Sequence, residues 1–148
     1  MGHLCQISLS KGGVPKVAVP EAEVGWLGLV GDRQQHPKIH GGPDRALCLF
    51  SRELITKLQG EGHPICPGST GENLTLAGLE WTQLSRGTRL QLGQVILELT
   101  WVAEPCKQIA ASFLDRRFQR LAQQGEMRWY CRVLQPGAVR VEMPVRVS

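Results

Sequence analysis

No apolar run in this sequence is longer than five residues, Ala46–Phe50, and Gly and Pro recur between the runs throughout the chain. Together they supply 26 of the 148 residues, well above the ~12% of average usage, with no low-complexity tract to absorb the excess. A chain punctuated this way makes many short extended pieces and many turns. It cannot make a membrane-spanning helix, which needs about 20 consecutive apolar residues. The expectation is a mainly β chain folded as one domain over residues 1–148, of a length that buries a core without staples.

The cysteines and charges narrow the setting. Five cysteines is an odd number and none forms a Cys-x-x-Cys pair, which argues against a disulfide framework or a cysteine-rich zinc site and for a reducing, cytoplasmic location. The N-terminus has no apolar core of a secretory signal, so none is expected. Residues 1–105 carry a net charge of −1 and residues 106–148 a net of +5. The basic third suits an anionic ligand. No nucleic-acid partner is expected, because there is no Lys/Arg block with interleaved aromatics and only one Tyr and three Phe are available for stacking. No membrane partner is expected either.

Read along the chain, Leu4–Leu9, Val14–Val19 and Val24–Val30 are short extended pieces. Residues 31–45 form a polar loop without period, and loops this long in a compact domain usually carry function. Ala46–Phe50 is a buried strand, followed by a helix from Arg52 to about Gln59 that Ser51 caps. Glu72–Leu76 is a strand after an irregular stretch. Residues 90–101 alternate around a Gly93-Gln94 hairpin signal. Ala110, Phe113, Leu114, Phe118 and Leu121 fall at helical spacing, which predicts a helix over Lys107–Gln124. Trp129–Leu134 and Ala138–Val147 are strands turned by Gln135-Pro136-Gly137. This rhythm predicts a closed or partly closed β-barrel with two or three inserted helices.

Four segments could carry chemistry. In the first, Gly31–Arg45, the adjacent Gly41 and Gly42 could converge backbone N–H groups on an anion, with Arg33, Lys38 and Arg45 adding charge. Gly41-Gly42-Pro43 reads equally as a plain tight turn. His36 and His40 are four apart, but Pro37 intervenes and no helical period supports a zinc pair. The second, Gly68–Thr75, offers small residues and Asn73 to a ligand, or simply a turn entering a strand. In the third, Glu104-Pro105-Cys106-Lys107, a thiol beside Lys107 at the start of the predicted helix sits where the thiolate is favoured. Cys5 and Cys48 read as core, Cys131 as a strand residue, and Cys66 as a loop residue of open role. In the fourth, Arg128, Tyr130 and Arg132 share one strand face, which either lines a pocket or meets water.

In this order the segments resemble the MOSC domain, named for the C-terminal region of molybdenum-cofactor sulfurases. The resemblance rests on Gly31-Asp32-Arg33-Gln34 leading to Lys38–Ala46, on Gly68–Thr75, on Pro105-Cys106, and on the basic strand Arg128–Val133 with its Pro136-Gly137 turn. The chain looks like a small stand-alone member. The resemblance implies a pyruvate-kinase-barrel-like β-barrel and a molybdenum cofactor of the molybdopterin type. It makes Cys106 the thiolate ligand to the metal and the catalytic cysteine. It places Arg33, Lys38, His40, Gly41, Gly42, Arg45, Asn73, Thr75, Lys107, Arg128 and Arg132 around the pterin and its phosphate. The Gly-Asp pair common in the family's final turn is absent from Val141–Pro144, and no lysine has a convincing Schiff-base setting for pyridoxal phosphate. The function implied is the catalytic component of a reductase that takes a small N-hydroxylated substrate and draws electrons from a separate reductase partner. Sulfur transfer through a Cys106 persulfide and non-enzymatic cofactor carriage are the alternatives.

Overall fold

The computed structural model describes residues 1–10, 14–32 and 42–148. Eleven strands organise the described residues: β1 (Gly2–Leu9), β2 (Val17–Val19), β3 (Glu21–Gly25), β4 (Gly28–Leu29), β5 (Leu47–Ser51), β6 (Leu74–Ala77), β7 (Arg89–Leu92), β8 (Val95–Ala103), β9 (Arg128–Gln135), β10 (Gly137–Arg140) and β11 (Pro144–Val147). The order β11-β7-β8-β9-β5-β6-β1 closes on itself where Gly2 and His3 pair with Val145 and Pro144. The result is a seven-stranded barrel without open edges around the ring. β2 adds to the far end of β1, and β10-β3-β4 form a small second sheet.

The alternation read from sequence is the pleat of this barrel. Leu90 and Leu92 of β7 and Val95, Leu97 and Leu99 of β8 are buried, and the two strands meet through a Gly93-Gln94 hairpin with Gly93 at φ 61°. β5 is buried along its whole length. It pairs in parallel with β6 through a crossover that includes the only α-helix among the described residues, α1 (Arg52–Gly60). A strand covered on both faces reads as a continuous apolar run, which is why Ala46–Phe50 stood out. The Ser51 hydroxyl accepts the Leu54 N–H at 3.1 Å as the N-cap of α1, and Ile55 and Leu58 are buried.

Three expectations are corrected. The predicted helix over Lys107–Gln124 is three short 3-10 segments, Lys107–Ser112, Leu114–Arg116 and Phe118–Ala122. Phe113 is extended between the first two, and Asp115 and Arg116 adopt positive φ. The apolar positions still face inward, since Ile109, Ala110, Phe113 and Leu121 are buried; a period near three serves 3-10 turns as well as an α-helix. Second, Ala138–Val147 is two strands, broken where Glu142 takes φ 77° and Leu4 exchanges backbone bonds with Glu142 and Met143. Third, Gln135-Pro136-Gly137, expected as a turn, is a corner at which the chain passes from the barrel to the small sheet.

Candidate functional site

A cleft of about 600 Å³, counting its solvent-open mouth, lies where the end of β8, the start of β9, the loop before β6 and the segment before β2 converge on β5. Its inner wall is made by Cys48 of β5, Tyr130 of β9 and the Thr70–Asn73 loop.

The loop is held by a buried carboxylate. Glu72, fully buried, accepts the Gly68 N–H at 3.0 Å and the hydroxyls of Thr70 and Thr75 at 2.7 and 3.1 Å. Gly71 faces the cleft at φ 83°, and a Cβ there would lie 2.8 Å from Val14 Cγ1. Only glycine therefore lets the loop and Val14 approach this closely. Asn73 ties three elements together. Its side-chain carbonyl accepts the Cys48 N–H at 3.0 Å, and its Nδ2 donates to Asp32 at 2.9 Å and to the Ser8 carbonyl at 3.4 Å. Asp32 also accepts the Ser10 N–H at 2.9 Å and both of its oxygens accept Lys16 Nζ, at 2.7 and 2.8 Å. Lys16 lines the cleft, but its charge is spent on this buried pair.

Apart from Glu104 at the opening, the charge left in the cleft is cationic. Arg128 is only 6% exposed. It donates to the carbonyls of Thr70 at 2.6 Å, Glu104 at 3.3 Å and Ala103 at 3.5 Å. Its buried Nε has no partner and no carboxylate of the described residues forms a salt bridge with it. The Arg45 guanidinium lies 5.4 Å from the centroid of the Tyr130 ring. Burial, reinforced by the nearby Cys48, pushes the Tyr130 hydroxyl up to about 12 against the pull of Arg128 and Arg45. Burial likewise pushes the Cys48 thiol up to about 11. The outer wall is the run after β8, where Glu104, Cys106, Gln108 and Ile109 line the opening. Cys106 is half-buried and forms no disulfide.

Of the residues singled out from sequence, the structure brings Arg45, Asn73, Cys106 and Arg128 together around this cleft. Thr75 is buried and bonded to Glu72, away from the opening. Gly42 precedes the Pro43–Arg45 turn at φ 95° and does not line the cleft. Lys107 is exposed outside it. Arg132 lies two pleats beyond Arg128, roughly 13 Å along the strand, and pairs with Asp44 at 3.2 Å and Glu98 at 3.5 Å. The two arginines thus do not grip one anion. Arg33, Lys38, His40 and Gly41, with His36, lie outside the described residues. The α-helix expected to begin at Cys106 is absent, so no long-helix dipole acts on that thiol. Sequence reasoning missed Lys16, Val14, Gln108 and Ile109 and assigned Cys48 to the core. Only Val14 and Lys16 had a usable signal, as the apolar-basic approach to a short strand.

Among the described residues no three His, Cys, Asp or Glu side chains cluster to cage a metal. The donor set instead fits a group that brings its own ligands. One available soft thiol, a buried guanidinium without a counter-ion and a glycine floor suit an anionic organic cofactor carrying a thiophilic metal.

Fold and cleft together define a class: a closed seven-stranded β-barrel that presents one half-buried cysteine beside a buried arginine. The sequence profile of the MOSC domain matches residues 36–146, and the chain belongs to the MOSC domain family, which is associated with the molybdenum cofactor. It is 30% identical over 126 residues to protein YiiM of Escherichia coli K12, covering 82% of this chain and 56% of that protein. It is 31% identical over 111 residues to protein YflK of Bacillus subtilis, covering 74% of this chain and 50% of that one. The chain thus spans about half the length of the curated relatives it matches. The crystal structure of YiiM from Geobacillus stearothermophilus has a TM-score of 0.82 at 24% identity, covering all of this chain and 75% of that one. That of Escherichia coli YiiM has a TM-score of 0.76 at 26% identity and covers 70% of that chain. No helix among the described residues is long and apolar enough to cross a membrane.

Proposed function

We propose that this chain binds a molybdenum cofactor in the cleft and serves as the catalytic component of a reductase acting on small N-hydroxylated substrates, with electrons supplied by a separate reductase. The observation that carries the reading is the half-buried Cys106 thiol, without a disulfide partner, lining the same cleft as the buried and carboxylate-free Arg128. When bound, the cofactor supplies two-electron, oxygen-accepting chemistry. Cys106 is the residue that would ligate its metal. The Arg128 guanidinium and the Gly71 floor would hold its anionic portion, and Arg45 would cover one side.

The chain's own groups do the rest. Tyr130 keeps its phenolic proton across the neutral range because burial raises it to about 12. It can therefore donate, but not accept, a proton as an N–O bond is cleaved. Val14 and Ile109 give the opening apolar sides that displace water from a planar substrate. The five cysteines have no iron–sulfur spacing, in keeping with an external electron donor.

Metal and pterin analysis of protein made in a cofactor-competent host tests the reading. About one molybdenum and one pterin per chain are expected for wild type, with molybdenum lost in Cys106→Ala, and with turnover of a hydroxylaminopurine under reductant. Wild type without either component overturns it. Cofactor retention without turnover leaves carriage, and a Cys106 persulfide after incubation with a cysteine desulfurase leaves sulfur transfer.

A further inference from the structure

His63 stands between two partners that favour different protonation states. It lies just past α1, where Gly62 turns at φ 98° and the His63 N–H bonds the Leu58 carbonyl to cap the helix. Its side chain is 9% exposed and meets the Phe113 ring edge to face, centroids 5.2 Å apart. Nδ1 accepts the Leu114 N–H at 3.0 Å, so that nitrogen carries no proton and the ring is neutral. Nε2, which then carries the proton, lies 3.6 Å from Glu61 Oε1. The chain beyond Leu114 is strained. Asp115 and Arg116 take φ 52° and 59°, a left-handed pair of non-glycine residues that persists only where its surroundings hold it. The Leu114 N–H bond anchors the head of that pair, and the Arg116 N–H bond to the Phe113 carbonyl at 3.0 Å closes it.

We propose that His63 is a proton-operated latch on the outer wall of the cleft. Neutral, it pins Leu114 and the left-handed pair behind it; protonated, it releases them. The stretch it fastens is continuous with Cys106, Gln108 and Ile109, which line the opening. A proton on Nδ1 sets one N–H against another, so the bond to Leu114 is lost, while Nε2 keeps Glu61 as its partner. Glu61 favours the cation. Arg120, bonded to both Glu61 oxygens at 2.9 and 3.0 Å, opposes it. Lys57 and Glu126 pair with each other beside Arg120 and add one charge of each sign. On the exposed tip Asp115 and Arg117 pair at 3.7 Å, with Arg116 exposed next to them. Protons bind the released arrangement better than the latched one, so acidification through the range in which imidazoles ionise shifts the wall toward release. Arg120 stays on Glu61 in both forms, which keeps the 118–122 turn in place and confines the change to the stretch around Leu114.

The test is heteronuclear NMR with amide hydrogen exchange on the full chain between about pH 8 and pH 5, exchange being corrected for its intrinsic pH dependence. The His63 ring is expected to show an unprotonated Nδ1 at the upper end. Protection of the Leu114 and Arg116 amides should fall about three- to tenfold as the ring titrates, the worth of one hydrogen bond, while amides inside α1 keep theirs. His63→Asn places a carbonyl that accepts but does not titrate where Nδ1 stood, and should hold Leu114 at both ends of the range. His63→Ala should release it at both, and Glu61→Gln should move the release to lower pH. A protonated Nδ1 at the upper end, unchanged protection at Leu114, or the same pH dependence in His63→Asn as in wild type overturns the proposal. None of these readouts involves a cofactor, so the latch stands or falls apart from the reading of the cleft.

Discussion

Asp32→Ala is the substitution with the largest consequence that the structure allows us to work out. The carboxylate is 2% exposed and its partner Lys16 is 6% exposed. It also accepts from the Ser10 N–H and from Asn73 Nδ2. The substitution leaves a buried ammonium without its counter-charge and removes an acceptor from two further donors. Breaking a buried pair on one side costs about 3–5 kcal/mol. Lys16 lines the open cleft and can partly rehydrate, so we expect the total to stay within that range, not to gain the further ~1–3 kcal/mol of each orphaned donor. For a chain of this size that is a fall in Tm on the order of 10 °C. Lys16→Met should cost less, because Asp32 keeps its two N–H donors. The double variant should cost about 2 kcal/mol less than the sum, since the second change removes the charge that the first one stranded. Urea denaturation followed by circular dichroism, with the four proteins compared at one pH, completes the cycle. Single effects below ~1 kcal/mol, or additivity within ~0.5 kcal/mol, would refute the reasoning.

Gly71→Ala places a methyl group 2.8 Å from Val14 Cγ1 at a φ of +83°, and should cost about 1–3 kcal/mol. Val14→Ala should recover the steric part and leave the backbone part, and full recovery in thermal melts would contradict the left-handed strain. A thiol–disulfide reagent at neutral pH should label exposed Cys66 and half-buried Cys106 well before Cys48 and Cys131, because burial raises both of the latter thiols; mass mapping that finds Cys48 labelled as fast as Cys66 would count against the burial. Arg120 hydrogen bonds hold Glu61 below the ordinary 4.5, and for Glu126 the bonds from Lys57 and Arg120 outweigh the upward push of burial. Carboxyls depressed in the folded state stabilise it above about pH 4.5 and cease to do so as pH falls through their folded values. Wild type should therefore lose more stability between pH 5.5 and 3 than Arg120→Met does, and parallel acid profiles would remove the pairing of Arg120 with Glu61 and Glu126 from the account.

What was legible in the sequence was local. The Ser51 cap, the Gly93-Gln94 hairpin, the fully buried β5 and the stop at Pro105 each follow from a few adjacent residues, and each is present. The break-up of 107–124 was not legible, because long-range bonds hold it. Ser112 donates to the Ser69 carbonyl, the Leu114 N–H to His63 Nδ1, and Arg120 to Glu61. These partners lie 43 to 59 residues away, and their attraction overrides the helical spacing. The cleft was half legible for the same reason. Cys106 and Asn73 were marked by their neighbours, but Lys16 enters through distant partners, its ammonium bonded to Asp32 and its backbone N–H to the Gly68 carbonyl. Alternation put Arg128 and Arg132 on one face without revealing that Asp44 and Glu98 hold the second elsewhere.

Barrel closure and cleft chemistry meet at Arg128. Against β9, β8 carries one extra residue between Leu99 and Val102, a bulge that bends and twists a strand end. Thr100, within it, bonds the Asp44 carbonyl at 2.5 Å, joining the bend to the turn that holds Arg45. The chain then leaves the sheet at Ala103 and passes Glu104 and Cys106 along the cleft. Arg128 pairs with Ala103 across the sheet and reaches both this exit and the Thr70 carbonyl of the facing loop. One guanidinium therefore sets the width of the opening between the thiol and the glycine floor. A buried cation held only by carbonyls is a costly spacer, and an apolar side chain of similar volume would serve packing at least as well. Its position makes sense where the same charge has a second task, neutralising an anion held against that floor, and this is the physical ground for proposing that the anionic part of a ligand lies on the inner wall, across from the Cys106 thiol on the outer one.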